Sequence, residues 1–109
     1  MIKNRIEQLE QMLLEESGDN FVRYALALEY GSSGQHAKAV EYLKAVLNSD
    51  KNYLAAYYQL GKMHEVMGDW EKAAEIYSLG MEIAKTQGNQ RTFSELKAAF
   101  QGFAGNEDD

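Results

Sequence analysis

Residues 68–77 read GDWEKAAEIY, and residues 34–43 read GQHAKAVEYL. The two stretches share Gly, Lys, Ala and Glu at the same places, at an interval of thirty-four residues. Each opens on a glycine, which suits a tight turn, and goes on with apolar residues at helical spacing. Sliding the chain by the same interval lays Tyr24 on Tyr58, Leu26 on Leu60, Gly34 on Gly68, Lys38 on Lys72, Ala39 on Ala73 and Glu41 on Glu75. Ala27 falls on Gly61, small on smaller, at a mid-helix position where a partner helix can come close. The interval predicts one helix–turn–helix unit written twice.

Outward from this pair the pattern stays helical. Ile2, Ile6, Leu9 and Leu13 recur at helical spacing over residues 2–16. Ser17-Gly18-Asp19-Asn20 ends that helix, with Gly18 suited to a left-handed cap and Asp19 or Asn20 to the next N-cap. Further helices are expected at about Phe21–Tyr30, Gln35–Leu47, Tyr53–Met67 and Trp70–Lys85, with a sixth ending near Phe103. Proline is absent, so nothing forbids helix along the chain. No alternating apolar run is long enough for a strand, and the short loops make sequential helices antiparallel. The fold class is all-α, with six helices. The expected organisation is a single domain over 1–104, with an N-terminal cap at 1–18, repeats at 20–53 and 54–87, and a C-terminal cap at 89–103. Residues 105–109 read as a disordered acidic tail.

Apolar residues make up 45% of the chain and charged residues 26%, an ordinary globular composition. The formal charge of −6 argues against nucleic acid, whose phosphates need a basic face. The opening MIKNRIEQLEQ has no apolar h-region, and no run approaches a membrane span, so neither secretion nor a membrane is expected. The absence of cysteine leaves no thiolate metal site or cysteine nucleophile and fits a reducing cytoplasm.

The repeated unit resembles the tetratricopeptide repeat, whose pattern is W-x2-L-G-x2-Y…A-x3-F…P. Tyr57, Leu60, Gly61, His64, Ala73 and Tyr77 follow it, with Tyr for Trp and His for Tyr. Arg23, Leu26, Ala27, Tyr30, Ala39 and Leu43 follow it more loosely. Lys51 and Lys85 stand where the closing prolines would be. The resemblance implies a right-handed superhelix of antiparallel hairpins. It also implies a concave groove lined by the first helix of each hairpin.

Catalytic and metal patterns are incomplete. His64-Glu65 begins like the zinc-protease H-E-x-x-H, but the second His is Gly68. His64 aligns with Tyr30 and His36 with Trp70, which makes packing the expected role of both slots. Gly31 to Lys38 lacks both the preceding strand and the G-K-[ST] of a phosphate loop, and reads as a turn. Glu71 and Glu75 lie on an exposed helix face and serve solvation. No enzyme, cofactor or metal is expected.

With Leu26, Ala27 and Tyr30 in the core, a different stripe of the same helix faces the implied groove: Phe21, Tyr24 and Leu28. In the next repeat the stripe is Ala55, Tyr58 and Lys62, with Glu65 one turn on. Tyr24 and Tyr58 either fill space between neighbouring helices or form a recognition surface. Some family members grip a C-terminal carboxylate with Lys and Asn here; Tyr24 and Leu28 stand in those places, so that clamp is not expected. The reading is a non-catalytic module that binds a peptide or helix of a protein partner through Phe21, Tyr24, Leu28, Tyr58, Lys62 and Glu65. The alternative is a structural homo-oligomer, such as a homodimer, that uses the same apolar groove surface for self-association.

Overall fold

The computed structural model describes residues 4–107 and contains six α-helices and no strand among them. They fall into two compact units, 1–51 and 52–109, which divide the chain close to the expected repeat boundary.

In the first unit α1 (Arg5–Glu15) and α3 (His36–Ser49) both pack on α2 (Asn20–Ser32). Leu9 from α1, Val22, Leu26, Ala27 and Tyr30 from α2, and Ala39, Leu43 and Val46 from α3 are buried together in this core. Asp19 is the N-cap of α2, its carboxylate accepting from the Val22 N–H at 3.2 Å. Two polar ties fix the entry of α2. The Arg23 guanidinium donates to the Asn20 side chain at 2.7 Å and to the Ser17 carbonyl at 2.6 Å. The Tyr30 hydroxyl donates to Glu10 at 3.1 Å, joining α2 to α1, and its ring stacks on Tyr42 of α3 at 5.8 Å.

The second unit packs α4 (Leu54–Val66), α5 (Trp70–Gln87) and α6 (Gln90–Glu107) mutually. Its centre is a reciprocal insertion of tyrosine against glycine. A Cβ added to Gly61 of α4 would lie within 2.7 Å of three atoms of the Tyr77 ring of α5, far inside van der Waals contact. A Cβ on Gly80 of α5 would lie 2.7 Å from Tyr57 Cβ of α4 and 3.0 Å from Leu96 Cδ1 of α6. Tyr77 and Leu96 are fully buried, so the three helix axes can approach only because these two positions lack side chains. Thirty-four residues earlier, Ala27, Leu43 and Val46 occupy the places of Gly61, Tyr77 and Gly80. There the side chain in the slot is larger and the one facing it smaller.

The repeated glycines close the hairpins in one way. Gly34, Gly68 and Gly88 all have positive φ, at 82°, 79° and 70°. In each turn the following N–H reaches back to a carbonyl five residues before: Gln35 to Tyr30, Asp69 to His64 and Asn89 to Ala84, at 2.8–2.9 Å. These are Schellman closures, which satisfy carbonyls the helix end would leave bare.

Three details depart from the sequence reading. Gly18 is not left-handed. The chain turns there through an Asp19 N–H to Glu16 carbonyl bond at 3.2 Å, with Arg23 holding the Ser17 carbonyl, so no positive φ is needed. Helix α5 passes Lys85 and stops only at Gly88, because no proline blocks it. Helix α6 extends to Glu107, past Phe103 and into the segment expected to be a tail. Gly102 and Gly105 lower helix propensity without removing an N–H. Met1, Ile2 and Lys3 of the expected first helix, and Asp108 and Asp109 of the expected tail, lie outside the described residues.

Candidate functional site

Helix α2 carries two stripes on opposite sides. Val22, Leu26, Ala27 and Tyr30 face the core, and Phe21, Tyr24 and Leu28 fall on the other side. Phe21 is 69% exposed, Leu28 is 40% exposed and Tyr24 is half-buried. The structure therefore gives α2 a surface stripe of one aliphatic and two aromatic residues that its own core does not use.

The corresponding stripe of α4 is built differently. The Tyr58 ring is half-buried and tilted against Tyr77, with centroids 6.4 Å apart. The Lys62 ammonium lies 5.8 Å from the centroid of the Tyr58 ring. Lys62 has no ion-pair partner among the described residues, and its ammonium lies over the aromatic face. Glu65 accepts a hydrogen bond from the Tyr77 hydroxyl. Burial, and then this bond to a carboxylate, push the Tyr77 hydroxyl well above the usual tyrosine range. Glu65 thus ties α4 to α5 as well as sitting on the stripe. Nothing local marks that second role, since it depends on a residue twelve positions on.

His64 is buried, with Nδ1 3.8 Å from an Asp69 carboxylate oxygen. Its aligned counterpart Tyr30 is also buried, so both slots are packing positions. His36 is half-buried, but Trp70 is 48% exposed, contrary to the expectation that it packs. It is the first residue of α5, at the hairpin end, where Val66 and Met67 are exposed beside it in sequence. The equivalent turn of the first unit carries Ser32, Ser33 and His36. The sequence reading assigns Trp70 to packing and does not single out Val66 and Met67, although the difference between the two turns is visible in the chain. No group of three His, Cys, Asp or Glu among the described residues could hold a metal ion. No helix among them is long and apolar enough to cross a membrane.

Residues 32–100 match the sequence profile of the tetratricopeptide repeat. The chain belongs to that family. A tetratricopeptide repeat domain protein from Salinibacter ruber, solved in solution, is 33% identical with a TM-score of 0.76, over 80% of this chain and 88% of that one. A Bordetella parapertussis protein of known solution structure is 27% identical with a TM-score of 0.87, over 97% of this chain and 92% of that one. A 55-residue stretch, 50% of this chain, is 34% identical to the mouse N-alpha-acetyltransferase 16, NatA auxiliary subunit. The chain spans 6% of that relative's length. The all-α class and the repeat reading both hold, and by family this is a protein-interaction module.

Proposed function

We propose that this tetratricopeptide repeat protein is a non-catalytic adaptor that holds a peptide or short helix of a partner protein. The binding residues are Phe21, Tyr24 and Leu28 of α2 and Tyr58, Lys62 and Glu65 of α4. The observation that carries this reading is the outward stripe of α2. Large apolar side chains stay exposed there although the core stripe of the same helix is complete. Exposed aromatic and aliphatic clusters are where interfaces draw most of their affinity. On α4 the Tyr58–Lys62 pair adds one aromatic surface and one cation, which suits a ligand of mixed apolar and acidic character. The name of the mouse relative, an auxiliary subunit, is in keeping with a role in assembly.

Affinity capture from the source lysate tests the reading with Tyr24→Ala and Tyr58→Ala combined. The expected result is loss of captured partner with the helical circular-dichroism signal kept. Glu41→Lys, on the exposed face of α3, leaves capture unchanged. Capture that survives the tyrosine changes and fails with Glu41→Lys would place the binding face elsewhere.

A further inference from the structure

We draw no further inference here: the strongest candidate, the exposed apolar patch of Val66, Met67 and Trp70 at the turn between α4 and α5, is a surface cluster, and nothing in the structure shows what covers it.

Discussion

Gly61 and Tyr77 show how one missing side chain can set a helix–helix distance. Adding a methyl to a mid-helix glycine normally helps, by about 0.5–1 kcal/mol, through backbone entropy. Here the methyl would clash with the edge of the Tyr77 ring, which is fully buried. Overpacking of about 1–3 kcal/mol outweighs the entropic gain, so Gly61→Ala is expected to lower the urea midpoint with the slope unchanged. Glu95→Ala, on an exposed face of α6, stays within about 0.5 kcal/mol. A Gly61→Ala protein as stable as the wild type would mean that α4 and α5 are not in this register. Tyr77 makes a second prediction through its hydroxyl. Burial and the Glu65 carboxylate raise its pKa, and burial and Glu10 do the same for Tyr30. Above pH ~10 an unfolded tyrosine loses its proton while Tyr77 keeps its own. The native state then binds more protons, and stability falls as pH rises, by about 1.4 kcal/mol per pH unit for Tyr77, with Tyr30 acting in the same direction. Below pH ~10 neither contributes any slope. Unfolding of Tyr77→Phe between pH 8 and 11 should therefore show a shallower alkaline decline than wild type; parallel curves would contradict the raised pKa.

At the scale of elements, the flanking helices cover what a lone hairpin cannot. Helix α1 places Leu9 in the core and supplies the Glu10 carboxylate to Tyr30. Deleting residues 1–17 uncovers the α1-facing side of α2 and removes that hydroxyl partner. Loss of a terminal cap of this kind promotes association of the exposed face. The shortened protein is expected to aggregate at concentrations where the full chain stays dispersed, as followed by light scattering. A dispersed, equally stable product would show that α1 is dispensable. Glycine closures act at the same scale. Gly68 has φ 79° and no heavy atom near its missing Cβ, so Gly68→Ala is opposed by backbone strain alone, of roughly 1–2 kcal/mol. Thermal unfolding measures it, and the same cost is expected at Gly34, where φ is 82° and the space is equally open.

For the whole molecule the deciding quantity is charge. A net charge of −6 repels polyanions at any orientation, and no local pairing of surface charges offsets it. Fluorescence anisotropy with a labelled single-stranded oligonucleotide at physiological salt is expected to show no saturation at micromolar protein. Saturable binding there would refute the exclusion of nucleic acid. The same charge works against self-association through polar surfaces, which directs the test of a dimer to apolar ones, the stripe of α2 first. Scattering by Phe21→Ser and Leu28→Ser together distinguishes the cases. A monomeric wild type leaves the stripe open to a partner, whereas a dimer that the double change dissolves shows it filled by a second copy.

Much of this protein is local in origin and could be read from the chain. Helical periodicity, the glycines at 34 and 68, and the interval between the two quoted stretches each involve residues within one element or one turn. Local sterics decide such features before any distant contact forms, which is why the class, the hairpins and the family followed from the sequence. The surface stripe of α2 was legible for the same reason, since three- and four-residue spacing is a property of one helix. The tertiary structure decided whatever depends on the offset between elements. It seated Tyr57 on Gly80 and Tyr77 on Gly61, and turned Glu65 toward Tyr77. It left Trp70 half exposed, and it closed the turn at Gly18 through Arg23 rather than through a left-handed glycine. A shift of one residue between α4 and α5 would exchange the Tyr–Gly and Glu65–Tyr77 partners while leaving each helix's own pattern unchanged.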